Sequence, residues 1–124
     1  MQKQHILIVD DDAGIRLALS LKLRSVGFDV SEATDGVEAV EYFADRTADL
    51  VVLDVGMPRM DGYTCARTLH AAANTRDVPV VILTAQNVEV PADVVPHIGR
   101  HRFLTKPFSP REIVKTIQEL LQEA

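Results

Sequence analysis

The chain has 124 residues, of which 47% are hydrophobic and 25% are charged. This composition is typical of a globular domain that can bury a core, and it predicts one domain over residues 1–124. The formal net charge of −5 argues against general binding to nucleic acid, which favours basic surfaces. No apolar stretch approaches the roughly 20 residues that a membrane span requires, and the N-terminus shows no signal-peptide pattern.

The cysteine content indicates the compartment. The single cysteine, Cys65, cannot form an internal disulfide, which is typical of a protein in the reducing cytoplasm. Because Cys65 lies in a predicted helix, we favour an inert small side chain over a catalytic thiol.

The first part of the chain alternates strands with helices. Residues 6–9 are a continuous, β-branched apolar run, which predicts a parallel strand covered on both faces. Apolar residues within 15–26 predict a helix that ends at Gly27. Residues 28–32 alternate in polarity and so predict a strand at the sheet edge. The next helix begins at Asp35, where an acid followed by glutamate three residues later has the spacing of a capping box.

The second part continues the alternation. Residues 50–53 and 80–83 predict two further buried strands, with a helix beginning at Asp61 between them. Residues 103–104 predict a fifth strand more weakly. The final helix begins at Ser109, which is followed by proline and then by glutamate at the capping-box position. Strands alternating with helices predict right-handed crossovers and an open parallel sheet between helix layers.

One segment, residues 87–99, interrupts this alternation where a fourth helix is expected. Pro91 is compatible with the first turn of a helix. Pro96 would then fall inside that helix, at a cost of about 3 kcal/mol. We therefore predict at most a short or broken helix.

Polar side chains follow the predicted strands at the point where each strand ends. They are Asp10, Asp11 and Asp12 after the first strand, Asp54 after the third, Thr84 and Ala85 after the fourth, and Lys106 and Pro107 after the fifth. In a parallel α/β sheet, ligands bind beyond the carboxyl ends of the strands. We therefore expect these side chains to converge on one cleft.

The chemistry of this set favours phosphoryl transfer. Clustered carboxylates repel, so either their pKa values rise or a cation binds. Oxygen ligands without nearby cysteine or histidine favour a hard ion such as Mg²⁺. An ammonium (Lys106) and a hydroxyl (Thr84) then complete a site in which Asp54 acts as a nucleophile and forms an aspartyl phosphate. Each residue alone is more commonly surface polarity, and Asp12 is also a plausible helix N-cap.

Four stretches resemble the receiver domain of bacterial two-component response regulators of the chemotaxis-regulator type, over the whole chain. They are ILIVDDD (6–12), VVLDVGMPRMDG (51–62), VILTA (81–85) and FLTKPFSP (103–110). The resemblance implies a flavodoxin-like, doubly wound sheet of five parallel strands in the order 2-1-3-4-5, with helices on both faces. The irregular or shortened fourth helix departs from the family pattern.

The resemblance also implies roles for the cleft residues. Asp54 matches the phosphate acceptor. Asp10 and Asp11, with Asp54 itself and the backbone carbonyl of Gly56, match the ligands of Mg²⁺ (or Mn²⁺). Lys106 matches the lysine that pairs with the phosphate.

Other matching positions concern switching and access. Thr84 and Phe103 match the switch hydroxyl and the switch aromatic side chain. Ala85, Gly56 and Gln86 match positions that govern access to the phosphoryl group. The Lys106–Pro107 peptide bond is expected to be cis, although only about 5–6% of X–Pro bonds are cis in folded proteins.

The implied activity is signalling rather than turnover of an external substrate. A sensor histidine kinase or phosphotransfer protein would donate a phosphoryl group from phosphohistidine to Asp54, and slow hydrolysis would follow. The face formed by residues 86–99, the fifth strand and the last helix would then change state. That face would act on an effector domain or partner protein, or form a phosphorylation-dependent homodimer, without direct binding to nucleic acid or membrane.

Two further departures from the family concern small and basic residues. Gly56 is unusually small, which predicts an open site above the phosphate. Residues 99–102 are a basic run, for which we favour a solvated edge over a site for an acidic partner.

Three alternatives stay open at this point. A phosphatase with an aspartate nucleophile usually has a second acid two residues later, where this chain has Gly56. A flavin- or nucleotide-binding protein would carry a glycine-rich or Ser/Thr-rich phosphate loop after the first strand, where Asp10–Asp12 would repel phosphate. A degenerate receiver is disfavoured because every charged site position is filled.

Overall fold

The computed structural model describes residues 3–85 and 90–123. In chain order the elements are β1 (His5–Val9), α1 (Ala13–Ser25), β2 (Asp29–Ala33), α2 (Gly36–Tyr42), β3 (Leu50–Asp54), α3 (Gly62–Ala71), β4 (Val80–Thr84), a 3₁₀ turn (Val95–His97), β5 (His101–Thr105) and α4 (Pro110–Gln122). The strands are all parallel and lie in the order β2-β1-β3-β4-β5, which confirms the predicted doubly wound fold. Across the described residues, no helix combines the length and the apolar character needed to cross a membrane.

The central strands β1, β3 and β4 are buried on both faces, as their continuous apolar sequences predict. Alternate side chains therefore enter two separate cores. Leu53 of β3 shares one core with Leu69 of α3. Val52, its neighbour in sequence, shares the other with Ile117 of α4. The alternating strand β2 lies at one edge of the sheet, where it was predicted.

Side-chain caps begin the helices where the sequence predicts them. The carboxylate of Asp61 accepts a hydrogen bond from the backbone N–H of Thr64, and Asp12 caps α1 in the same way. Ser109 and Glu112 form a complete, reciprocal capping box at the start of α4. These caps satisfy backbone N–H groups in the first turn of each helix.

At α2 the predicted capping box is only half formed. Asp35 Oδ1 accepts the backbone N–H of Glu38 at 2.9 Å. The carboxylate of Glu38 instead accepts the backbone N–H and the hydroxyl of Thr34, at 3.2 and 2.8 Å. The sequence spacing therefore predicts the Asp35 cap on α2 correctly. The carboxylate of Glu38, which would complete the box at the backbone of Asp35, binds Thr34 instead.

The irregular segment is broken where the structure describes it. Residues 87–89 lie outside the described ranges. Between residues 90 and 99 the regular structure is limited to the 3₁₀ turn, which contains Pro96. Val94 and Ile98 flank this turn and are buried in the core shared with α3. The prediction of a short or broken helix is confirmed over residues 90–99.

The packing of α4 leads to a stability prediction. Leu120 of α4 is 0% exposed, whereas Leu17 of α1 is 60% exposed. We expect Leu120→Ala to lower the free energy of unfolding by about 2–5 kcal/mol, because it leaves a cavity. Leu17→Ala should change it by less than about 0.5 kcal/mol. Urea denaturation followed by circular dichroism measures both, and equal losses would contradict this packing.

Candidate functional site

The candidate site lies at the carboxyl ends of β1, β3, β4 and β5. The register pairs Val9 with Leu53, so Asp10 and Asp54 come at neighbouring strand ends. On the other side of β3, the backbone N–H of Lys106 donates to the carbonyl of Thr84 at 2.8 Å. The parallel sheet thus brings together the polar residues that the sequence places after separate strands.

Three carboxylates form the centre of the cleft. Ligand oxygens of Asp10, Asp11 and Asp54 all lie within 4.8 Å of one another. Asp10 and Asp54 are buried and Asp11 is exposed. All the donors are hard oxygen atoms, which is the ligand chemistry that Mg²⁺ and Mn²⁺ prefer.

Asp10 shows the electrostatic strain of this cluster. Its Oδ1 accepts the backbone N–H of Asp12 at 2.9 Å. Its Oδ2 is buried and has no hydrogen-bond partner among the described residues. Burial is the main cause that raises the pKa of Asp10, and the charges of Asp54 and Asp11 raise it further, against the bond from Asp12 and the charge of Lys106. A buried carboxylate oxygen without a partner fits a bound cation.

Lys106 supplies positive charge to the cluster. Its Nζ lies 2.8 Å from Asp54 Oδ1 and 3.9 Å from Asp10 Oδ2. Burial alone would lower the pKa of Lys106, but the hydrogen bond to Asp54 and the surrounding carboxylates raise it overall. Lys106 therefore stays charged at neutral pH. One ammonium against three carboxylates leaves a formal charge of two negative units, which a divalent cation would balance.

The loop after β3 leaves open space beside Gly56. The backbone N–H of Met57 donates to the carbonyl of Val55 at 3.1 Å, which makes a tight turn around Gly56. The side chain of Met57 is buried in the core and anchors the loop. A Cβ built on Gly56 would meet no atom within 4 Å.

Three of the predicted switch and access residues lie at the end of β4 and on β5. Thr84 is buried at the end of β4, and Ala85 after it is exposed. Phe103 is half-buried on β5, with its ring edge-on to His101 at 5.2 Å between centroids. The Lys106–Pro107 peptide bond is cis. Gln86 lies outside the described residues.

Arg16 is a supporting residue that the sequence reasoning missed. Its Nη1 donates to the main-chain carbonyl of Asp10 at 2.7 Å, and its Nε to Glu32 of β2 at 3.2 Å. Ser20 donates to the other oxygen of Glu32 at 3.1 Å. The one signal in the sequence was a basic residue shortly after the acidic triplet, and no spacing rule pairs it with β2.

The basic run 99–102 has an intramolecular role. Arg100 Nη1 donates to the carbonyls of Leu120 and Glu123, at 3.2 and 3.0 Å. Arg102 forms an ion pair with the carboxylate of Glu123. Both arginines lie on or beside the edge strand β5, and they bind the C-terminal end of α4, where cations are favoured by the helix dipole.

Cys65 is buried in α3, and burial raises the pKa of its thiol to about 12. The thiol therefore stays protonated at neutral pH. This agrees with the interpretation of an inert side chain.

Comparison with known proteins defines the class. The response regulator receiver domain family matches residues 6–118. The chain is 39% identical over 123 residues to the "Probable transcriptional regulator ycf27" of Porphyra purpurea, covering 99% of this chain and 49% of the relative. It is 37% identical over 121 residues to the aerobic respiration control protein ArcA of Escherichia coli (strain K12), covering 98% and 50%.

A solved structure gives the same assignment. The receiver domain of the sensor histidine kinase PA1611 from Pseudomonas aeruginosa PAO1, which has a magnesium ion coordinated in its active site cleft, has a TM-score of 0.87 and 30% identity. The match covers 98% of this chain and 100% of that one. The chain belongs to the response regulator receiver family and is a phosphorylation-dependent signalling receiver. It spans about half the length of the curated relatives that it matches.

The raised pKa of Asp10 predicts an effect of its neutralisation. Protonated Asp10 contributes stability below its ordinary pKa of 3.8, and this contribution is lost as the pH rises through the raised pKa of the folded state. At neutral pH the charged side chain therefore costs stability. We expect Asp10→Asn to raise the melting temperature without divalent cations and to abolish stabilisation by Mg²⁺.

Thermal unfolding at pH 7, with and without Mg²⁺, measures both effects. Asp12→Asn is the matched control, because asparagine also caps a helix and Asp12 is exposed. The control should respond to Mg²⁺ like the wild type. An Asp10→Asn variant that Mg²⁺ still stabilises fully would contradict the expectation.

Proposed function

We propose that residues 1–124 form one receiver domain that accepts a phosphoryl group on Asp54. The observation that carries this proposal is the position of Asp54, buried at the end of β3 with Lys106 at 2.8 Å and two further carboxylates beside it. A nucleophilic carboxylate, an ammonium and a set of hard oxygen ligands are the components of phosphoryl transfer.

The donor in this proposal is the phosphohistidine of a sensor histidine kinase or phosphotransfer protein. A carboxylate oxygen of Asp54 forms a bond to phosphorus as the bond between phosphorus and the imidazole nitrogen breaks. The electron pair of the broken bond stays on the imidazole. Lys106 pairs with the phosphoryl oxygens, the hydroxyl of Thr84 donates to them, and the small side chain of Ala85 leaves them room.

A divalent cation fits the acidic part of the cleft. Mg²⁺ or Mn²⁺ would be held by Asp10, Asp11, Asp54 and the carbonyl of Gly56. The cation would neutralise charge on the phosphoryl group during its transfer. The unpartnered Oδ2 of Asp10 supports this assignment. A magnesium ion in the cleft of the similar PA1611 receiver domain supports it as well.

An apolar surface beside the cleft supports a protein as the donor. Leu17 and Leu21, one turn apart on α1, are each 60% exposed. A groove lined by Ile15, Ala18 and Phe108 reaches Lys106. A partner protein bound in this groove would bring its phosphohistidine to the opening above Asp54. This transfer would take place in the reducing cytoplasm.

The output in this proposal is a change of state on the face of segment 86–99, β5 and α4. Movement of Thr84 toward the phosphoryl group would shift the end of β4, whose carbonyl holds the backbone of Lys106. Phe103, half-buried on the neighbouring strand, would turn with it. The face would then act on an effector domain or partner protein, or pair two phosphorylated copies, and the domain would turn over no external substrate.

Phosphorylation of Asp54 is tested with a small phosphodonor. We expect incubation with acetyl phosphate and Mg²⁺ to add one phosphoryl group, detected by intact mass spectrometry. Asp54→Ala should abolish the adduct, and chelation of Mg²⁺ should prevent it. The control Asp12→Asn should be labelled like the wild type. An adduct that survives Asp54→Ala would overturn the assignment.

The open space at Gly56 predicts a short phosphoryl lifetime. Gly56→Asn should fit without a clash and cover the phosphoryl group, because a Cβ there meets no atom within 4 Å. We expect the half-life of the phosphorylated variant to lengthen several-fold, measured by the decay of the adduct after donor removal. An unchanged half-life would show that Gly56 does not control access of water.

A further inference from the structure

The backbone of the β3–α3 loop (residues 55–61) contains an outlier. Among the described residues, Arg59 is the one non-glycine residue with a positive φ, at 64°. Glycine and asparagine adopt this left-handed conformation at lower cost than arginine does. Arginine at this position therefore indicates that its side chain makes an interaction that offsets the conformational cost of the backbone.

The side chain of Arg59 binds a buried carboxylate. Its Nε donates to Asp35 Oδ2 at 2.7 Å, and Asp35 is buried. The other oxygen of Asp35 caps α2 through the backbone N–H of Glu38. Asp35 therefore joins the start of α2 to the β3–α3 loop, with both of its oxygens engaged. The hydrogen bond from Arg59 is the main cause that lowers the pKa of Asp35, so the pair is charged at neutral pH.

The loop also fits tightly between α2 and β3. A Cβ on Gly36, the first residue of α2, would lie 2.7 Å from the carbonyl oxygen of Met60. A Cβ on Gly62 would lie 2.5 Å from the carbonyl oxygen of Asp54. The loop that contains Gly56 and Arg59 is therefore packed against α2 at one side and against the end of β3 at the other.

We propose that Asp35 and Arg59 are positioning residues for the cation site. Their ion pair fixes the β3–α3 loop against the start of α2, and so sets the direction of the Gly56 carbonyl toward the cleft. This inference rests on the proposed function, in which that carbonyl is a ligand of Mg²⁺. Groups that orient metal ligands typically change metal affinity by about 10–100-fold when they are removed.

A stabilising role and a positioning role predict different effects at the cation site. The side chain of Arg59 is 58% exposed, whereas that of Asp35 is 7% exposed, so loss of Arg59 would leave a buried carboxylate oxygen without its partner. Glycine at position 59 would relieve the backbone and remove this partner at once, so its effect on stability combines two opposing contributions. A purely stabilising pair would leave the Mg²⁺ affinity of the folded protein unchanged, whereas a positioning pair would not.

The decisive variant is Arg59→Gly, which removes the guanidinium and the backbone strain together. Loss of a nearby positive charge would by itself strengthen Mg²⁺ binding. Loss of loop positioning would weaken it, so the two explanations predict opposite signs. We expect about tenfold weaker Mg²⁺ binding by isothermal titration calorimetry of the full chain, measured at a temperature where circular dichroism shows the variant to be folded.

Two further variants complete the test. Asp35→Asn keeps the cap on α2 and removes the ion pair, and it should weaken Mg²⁺ binding to a similar extent. The double variant should be no weaker than either single variant, because both changes break the same link. Arg76→Gln, which removes a positive charge outside the loop, is the control and should bind Mg²⁺ like the wild type.

The outcomes separate this inference from the proposed function. Unchanged or tighter Mg²⁺ binding by folded Arg59→Gly would overturn the positioning role. If the wild type binds no Mg²⁺ and acquires no phosphoryl group on Asp54, the proposed function fails and this inference fails with it. Wild-type labelling combined with normal binding by both variants would overturn the inference alone.

Discussion

The repulsion between Asp10 and Asp54, buried at neighbouring strand ends, is the constraint on which the site depends. Two like charges at 4 Å repel by roughly 1 kcal/mol in water and by about 4 kcal/mol near a protein surface. The exposed Asp11 adds a third charge to the cluster. Lys106 offsets part of this repulsion from the end of β5. Burial is the main cause of the raised pKa of Asp10, and the charges of Asp54 and Asp11 raise it further.

The burial of the central strands supplies stability that offsets this repulsion. Every residue of β3 and β4 is buried, and their neighbours on both faces belong to two separate cores. Sequence reasoning could predict this framework, because continuous apolar runs have few other solutions in an α/β protein. It could also predict the cleft, since residues that follow parallel strands must emerge at one edge of the sheet.

Contacts between distant side chains could not be predicted in the same way. Arg59 and Asp35 are 24 positions apart, and Arg16 and Glu32 are 16 apart. No periodicity links residues in different elements at such separations. The local charge of residues 99–102 favours a solvated edge, but Arg100 and Arg102 bind the C-terminal end of α4. Local patterns predict elements and their ends, while these pairs depend on how the elements pack.

Three cationic side chains near the cleft, Arg16, Arg59 and Lys106, bind different groups. Arg16 binds the main-chain carbonyl of Asp10 and the carboxylate of Glu32, so its charge is committed away from the acidic cluster. Arg59 is likewise committed to Asp35. Among the described residues, Lys106 is the one cationic side chain that forms ion pairs with the clustered carboxylates. A cleft fully neutralised by arginines would have no place for a divalent cation. By holding the backbone with guanidinium groups and the carboxylates with one lysine, the fold fixes the geometry of the site and leaves its negative charge available.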